Sequence, residues 1–461
     1  MTLIRPDIIA ALATAPLPAG VAVVRLSGKG AKALTDKLCP SFADIPPRQM
    51  QYGKLRAGGT LIDEGLLVWF EAPNSFTGEE VVEFHGHGGR AVVQSVLDAF
   101  YTLGAKPADA GEFSRRAFIN GKLDLTQAEA MADLIAANTE AQRKQALRQM
   151  EGELGNRFEK WRADILHLVA HAEAAIDFPD EDLDILAQAG LQDKVSALIN
   201  TFKIACQSNA GQRLREGFSV AIVGRPNSGK STLTNLLTGK ETAIVSPIAG
   251  TTRDVLESHL DVGGYPIILA DTAGLRVTED AIEAEGVSRA EKKARQADLV
   301  ILVTESDQWP DMDENAIRWL LGKPGFLVVS KSDGAKTPVK ETSRTLSGDD
   351  CIQDFKVLPL DLTNPDSLPP LLEALQGEVE THLGAAAEGA QLNRERHKQA
   401  VKAAREHLER ALQTFANPEG FSADMLAQDL RDSANAIGSV TGRTDTESVL
   451  DVVFSTFCVG K

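Results

Sequence analysis

An apolar run, residues 218–223, passes directly into Gly224-Arg-Pro-Asn-Ser-Gly-Lys-Ser231, and nothing else in the chain constrains its fold so tightly. A Gly-x-x-x-x-Gly-Lys-Ser segment between a strand and a helix is a phosphate-binding loop. Its glycines let backbone N–H groups turn inward onto an anion. Lys230 has the reach for the β- and γ-phosphates, and the Ser231 hydroxyl suits Mg²⁺. Residues 267–270, 299–303, 326–330 and 357–360 read as further strands that alternate with helices to about residue 380. That alternation is the pattern of a doubly wound α/β domain.

Downstream motifs extend the loop into a nucleotide site. In Asp271-Thr-Ala-Gly-Leu275, Asp271 is placed to hold Mg²⁺ through water and the Gly274 N–H to sense a γ-phosphate. Leu275 stands where many Ras-type GTPases carry a water-positioning Gln, so water must be activated some other way. Between the two motifs, Gly250-Thr-Thr-Arg-Asp254 offers Thr252 as a switch ligand to Mg²⁺. In Ser330-Lys-Ser-Asp333, the Asp333 carboxylate matches the two N–H groups of a guanine edge and the Lys331 stem covers the base, with Ser330 in place of the usual Asn. Nucleotide contacts are thus expected from Gly224, Asn227, Ser228, Gly229, Lys230, Ser231, Thr232, Asp271, Gly274, Lys331 and Asp333, and catalysis from Lys230, Asn227 and Glu283. Glu283 is either a carboxylate that orients water or a solvated residue of the switch segment. Asn227 either holds a monovalent cation near the β/γ-bridge or only stabilises the loop turn.

The rest of the chain sets the frame. It has 461 residues, 43% of them apolar, and a net charge of −17. Such a length predicts two to four domains, and such a charge argues against a broad electrostatic grip on RNA or an anionic membrane while leaving RNA binding locally or through a partner open. Basic and acidic residues balance over residues 1–120, so the negative charge lies beyond them. The four cysteines form no C-x-x-C pair, no apolar run is long enough to span a membrane, and no secretory segment is recognisable, so a cytoplasmic protein is expected. Residues 1–120 mix short β-rich runs with a helix over 90–103; residues 121–216 read as long helices, 123–150 and 158–178 among them. The α/β block covers 217–380, and helical composition returns over 381–461. The expected fold is therefore multidomain: a mixed α/β N-terminal domain and a discontinuous all-α domain split by an inserted Ras-like P-loop domain. His85 and His87, in a His-Gly-His with no third ligand, read as loop residues rather than a metal site.

Three sets of residues resemble the MnmE (TrmE) family of tRNA-modification GTPases. The first is the P-loop with Ile248-Ala-Gly-Thr-Thr-Arg-Asp254 and Asp271-Thr-Ala-Gly-Leu-Arg276. The second is Val24-Arg-Leu-Ser-Gly28, Glu83-Phe-His-Gly-His-Gly-Gly89 and the stretch from Gly111 through Phe113-Ser-Arg-Arg-Ala to Ala130. The third is the tail Phe457-Cys-Val-Gly-Lys461. The resemblance implies a GTPase that dimerises and that acts with a flavoprotein partner, MnmG (GidA), on carbon 5 of the wobble uridine of certain tRNAs. It implies GTP, Mg²⁺, K⁺ and a formyl- or methylene-tetrahydrofolate as cofactors. Mg²⁺ would sit at Ser231, Thr252 and Asp271, and K⁺ at Asn227 with loop groups of Ser246, Ile248 and Thr251. Glu283 would position water. Folate would lie near Arg25, Glu83, Arg116, Asn120, Lys122 and Lys461; Arg116, Asn120 and Lys122 read equally as helix-start and turn residues. Cys458 is a candidate thiol or a small apolar residue on a packed tail. The motif set also leaves open a GTPase assembly factor, or a folate enzyme regulated by its G domain.

Overall fold

Two β-sheets organise the chain, each in its own compact unit: one unit comprises Met1–Ala132, Met150–Val195 and Glu406–Lys461, the other Asp133–Gln149 and Ser196–Arg405. The structure, a computed structural model, describes residues 7–177, 190–239, 257–270, 292, 294–310, 312, 314–331, 343–347, 352–415, 422–444, 447–455, 457 and 459–460.

The first unit holds six strands in the order β3-β4-β5-β2-β1-β6, where β1 is Ile9–Leu12, β2 Ala19–Ser27, β3 Gln51–Ala57, β4 Thr60–Phe70, β5 Val81–Gly88 and β6 Lys106–Pro107. All pairs are antiparallel except β1 with β6. One sheet face is apolar, with Val24, Leu26, Leu67 and Phe84 packed against Leu34 of the helix Ala31–Leu38 and Phe100 of the helix Arg90–Thr102. Alternating residues of β5 leave Glu83, His85 and His87 on the other, more accessible face. The unit also contains two long helices, Glu153–Asp177 and Ala423–Thr441. The second begins with Ser422 accepting from the Met425 N–H at 3.3 Å and ends at Gly442, φ 83°, a left-handed cap position that glycine suits. Polar pairs join the two helices, Thr441 Oγ1 donating to Glu159 at 2.7 Å and Arg431 to Glu173 at 2.9 Å.

The second unit carries a seven-stranded sheet in the order β12-β13-β11-β10-β7-β9-β8. Here β7 is Phe218–Val223, β8 Glu257–Val262, β9 Tyr265–Ala270, β10 Leu299–Glu305, β11 Gly325–Ser330, β12 Ser343–Ser347 and β13 Ile352–Pro359. The inner strands are parallel, and only β8 and β12 at the edges run antiparallel. Both faces of the inner strands are buried: Val220, Ile222, Ile301 and Val328 meet Leu233 and Leu375 on one side, while Val223, Val300, Leu302 and Val329 fill the other. Continuous apolar runs such as that of β10 are what a doubly covered parallel sheet requires. β7 is the switch point: the chain leaves it toward β9 and β8 on one side and later returns to β10, β11 and β13 on the other. Ligands of such sheets bind at the carboxyl ends of the strands beside that point.

One expectation is corrected. Residues 123–150 form two helices, Leu125–Ala136 and Glu140–Met150. At the break, Thr139 Oγ1 accepts from the Gln142 N–H at 3.4 Å while Gln142 Oε1 accepts from the Thr139 N–H at 3.2 Å. This reciprocal capping box starts a new helix, and its Thr-x-x-Gln signature was present in the sequence. The new helix is tied to the second sheet, its Ala141 N–H donating at 3.0 Å to the Gly264 carbonyl in the β8–β9 turn.

Candidate nucleotide-binding site

The loop from β7 to the helix Lys230–Thr238 lies on the carboxyl end of the central strands. Gly224 adopts φ 149° and Gly229 φ 102°. A Cβ on Gly224 would lie 2.2 Å from the Val303 carbonyl oxygen, and one on Gly229 would lie 2.7 Å from Leu362 Cδ1. Both positions therefore favour glycine for conformation, and Gly224 also requires it for space, since its neighbour is a backbone carbonyl. Asn227 is exposed at φ 62°, a left-handed conformation that Asn tolerates better than most residues. That geometry suits the turn-stabilising role, and it leaves the side-chain amide on the open side of the loop. Ser231 and Thr232 are exposed in the first helical turn.

Lys230 folds back over the loop and donates its ammonium to the Arg225 carbonyl. Burial holds this ammonium below the ordinary lysine range, since a low-dielectric site disfavours the charged form. A phosphate oxygen would offer it a charged acceptor in place of the neutral carbonyl. The loop's fit to a nucleotide phosphate thus rests on three features: two glycines in positive-φ conformations, an exposed helix start, and a partly desolvated lysine.

The guanine-motif residues lie two strands away in the sheet, at the end of β11. Ser330 ends β11 and is 1% exposed. Lys331 turns the chain at φ 56°, its carbonyl held by the Ser306 hydroxyl at 2.9 Å and its ammonium paired with Glu305 at 2.7 Å. Asp361 is held by the Thr363 hydroxyl and N–H, at 2.6 and 2.9 Å, which keep its carboxyl below the ordinary range. Those contacts make it the acceptor of a local turn. Ser246, Ile248, Thr251, Thr252, Asp271, Gly274, Leu275, Glu283, Asp333, Cys458 and Lys461 lie outside the described residues.

The N-terminal residues form a second polar group. Arg25 and Glu83 face each other across β2 and β5 and pair at 2.8 Å. The Arg25 guanidinium also lies 5.7 Å from the Phe76 ring centroid and 5.8 Å from that of Phe113. The other Glu83 oxygen is 3.3 Å from His85 Nε2, and Asp63 accepts from both the backbone N–H and the Nδ1 of His87. The two histidines are thus strand residues with carboxylate partners, and not loop residues. Among the described residues no group of three or more His, Cys, Asp or Glu is arranged to hold a metal ion.

Arg116 is buried and spans three carboxylates, Asp7 at 2.9 Å, Glu112 at 2.8 Å and Glu79 at 3.2 Å. Burial works against both partners' charges, yet the pairing outweighs it: Arg116 is raised by its carboxylates, and Asp7 is held below the ordinary range by Lys106 and Arg116. Asn120 donates to the Thr77 carbonyl at 2.7 Å and Lys122 to the Pro73 carbonyl at 3.0 Å. Arg25 and Glu83 thus form one pair, while Arg116, Asn120 and Lys122 converge on the segment between β4 and β5. No sequence signal announced Val303 and Leu362 against the P-loop glycines, or the aromatic rings around Arg25.

Comparison with known proteins adds the following. Residues 8–122 match the family described as GTP-binding protein TrmE N-terminus, and residues 125–458 match the MnmE helical domain. The chain is 44% identical to the tRNA modification GTPase MnmE of Paramagnetospirillum magneticum, over 99% of this chain and all of that one, at 100%. It is 44% identical to that of Rhodospirillum rubrum, over 99% of each chain, and 43% identical to that of Caulobacter vibrioides, over 99% of this chain and 100% of the other.

Proposed function

This chain belongs to the MnmE family of tRNA modification GTPases, and from that premise we propose that it hydrolyses GTP in a K⁺-dependent manner during modification of the wobble uridine of certain tRNAs. The observation that carries the reading is the P-loop, whose positive-φ glycines, Gly224 and Gly229, shape the turn from β7 into the helix Lys230–Thr238. Lys230 exchanges the Arg225 carbonyl for phosphate oxygens, and the exposed first turn orients the nucleotide. Ser231, Thr252 and Asp271 would hold Mg²⁺, and Asn227 with groups of Ser246, Ile248 and Thr251 would hold K⁺. Bound there, the two cations supply positive charge where negative charge builds between the β- and γ-phosphates. Glu283 orients the attacking water in the role that Leu275 cannot fill.

The chain works as a homodimer with the flavoprotein MnmG (GidA), on tRNA in the cytoplasm. The segments 1–120, 121–216, 217–380 and 381–461 are its functional divisions. A tetrahydrofolate derivative would supply the one-carbon unit. The Glu83 carboxylate, 17% exposed and already facing one guanidinium, is the acceptor suited to pterin N–H groups. Arg25, Lys122 and Lys461 would contribute positive charge for the acidic end of that cofactor, with Arg116 and Asn120 fixing the segment around them. Among the described residues no helix is long and apolar enough to cross a membrane.

The test is the GTPase rate in matched KCl and NaCl at two protein concentrations. Strong K⁺ stimulation that grows with concentration is expected; equal rates in both salts would instead favour a GTPase assembly factor and leave Asn227 a turn residue. In the same assay Glu283→Ala should keep GTP binding and lose nearly all hydrolysis.

A further inference from the structure

The position that opens the guanine motif, Ser330, is wired into the phosphate loop. Its hydroxyl donates to the Ser228 carbonyl at 2.8 Å, with the Thr304 carbonyl at 3.2 Å as the alternative acceptor. A serine hydroxyl carries one proton, and both acceptors that compete for it are internal. Its residue is 1% exposed, so a bound base has no access to the oxygen. The side chain also underlies the loop: a Cβ on Gly229 would lie 3.5 Å from Ser330 Cβ and 3.6 Å from its Oγ. The neighbouring Ser228 hydroxyl is buried with no hydrogen-bond partner among the described residues. The Ser228–Gly229 peptide is therefore fixed through its carbonyl, by Ser330.

Building on the GTP reading above, we propose that Ser330 is a positioning residue of the phosphate cradle, and that guanine is recognised here without a contact from this position to its N7 and O6 acceptors. Guanine presents N7 and O6 on one edge and N–H donors on another. An amide at this position has two donor hydrogens, one for the loop and one for the base, and extends further than a hydroxyl; serine has one donor and spends it on the loop. Discrimination then falls to the carboxylate and lysine of the same motif, which address the donor edge and the ring face. The consequence is an unusual tolerance: a guanine analogue that lacks only N7 should be accepted as readily as guanine itself.

The experiment uses the full chain and displacement of a fluorescent GDP by GTP, GDP, ATP and 7-deaza-GTP. In the wild type, GTP and 7-deaza-GTP should bind within about twofold of each other. Ser330→Ala should weaken GTP, GDP and 7-deaza-GTP alike, by roughly five- to tenfold, the size of one lost buried hydrogen bond, with the ratio between the two triphosphates unchanged. Ser330→Thr, which keeps the hydroxyl, should recover most of that loss. A wild-type preference for GTP over 7-deaza-GTP above about tenfold would overturn the inference, and needs no variant to be seen. So would a Ser330→Ala chain that melts like the wild type and binds every nucleotide unchanged. A wild type that prefers ATP would sink the guanine reading by itself, and a uniform loss in Ser330→Ala measured with ATP would still support the cradle role.

Discussion

The two polar groups of this molecule are built on opposite principles. In the second unit the P-loop is shaped by its backbone: Gly224 and Gly229 take positive φ, and among the described residues Lys230 is held by a neutral carbonyl. In the first unit the conspicuous side chains are already engaged. Arg116 spans three carboxylates, Asn120 and Lys122 hold carbonyls, and Glu83 faces Arg25 and His85. A backbone site is open before its ligand arrives, because glycine cannot satisfy a neighbour with a side chain. A side-chain site must trade an internal partner for the ligand, and each buried charge released from a pair costs several kcal/mol. Of the first group, Arg25 and Glu83 can make that trade most readily, since both are partly exposed, whereas Arg116 is the fixed point of its domain.

The sharpest break of this comparison is Lys230→Ala. It should lower GTP turnover by about three orders of magnitude or more, the scale of a charged group lost from phosphoryl transfer, and leave the melting of the first unit unchanged. Steady-state hydrolysis with a melting curve on the same sample checks both halves. Arg116→Ala should do the reverse. It strands three carboxylates at a buried site and should destabilise the first unit by about 3–5 kcal/mol, with nucleotide affinity retained; urea unfolding alongside GDP binding would reveal it. The same cluster gives an acid dependence. Because Asp7 is held below the ordinary carboxylate range, its stabilising contribution is complete above that range and is lost as pH falls through the lowered value. Asp7→Asn should flatten that acid limb.

A smaller effect is expected from Glu83→Gln. It should cost about 1 kcal/mol or less in stability, since the amide still accepts from Arg25, while binding of tetrahydrofolate, followed by calorimetry, should fall at least tenfold. The smallest effect is a pH trend. Burial lowers the free-state Lys230, and phosphate restores its charge, so nucleotide binding takes up a proton once pH rises into the lowered range. Affinity should therefore be flat at neutral pH and begin to decline before ordinary lysine titration; a decline absent until that ordinary range would place the ammonium in full solvent.

Legibility in the sequence followed the same division. The P-loop, the strand that feeds it and the inner parallel strands were readable, because glycine spacing and continuous apolar runs report local requirements. The break between Leu125–Ala136 and Glu140–Met150 was also written locally, in Thr139-x-x-Gln142, but helical composition on both sides masked it. His85 and His87 were misread as loop residues because two glycines around them suggested a turn, whereas they lie on β5 with Glu83 and Asp63 as partners.

What the sequence by itself determined is the phosphate-binding turn, the α/β character of the block around it and the family to which the chain belongs. The turn and the α/β character depend on backbone freedom and on apolar periodicity, which act over a few residues, and the family was legible as a resemblance of whole motifs. Only the tertiary structure decided which polar side chains are still free to meet a ligand. Arg116 meets Asp7 from 109 positions away, and Ser330 meets Ser228 from 102. A side chain's remaining hydrogen-bonding capacity is set by partners that distant in the chain, and neither residue type nor spacing can state it.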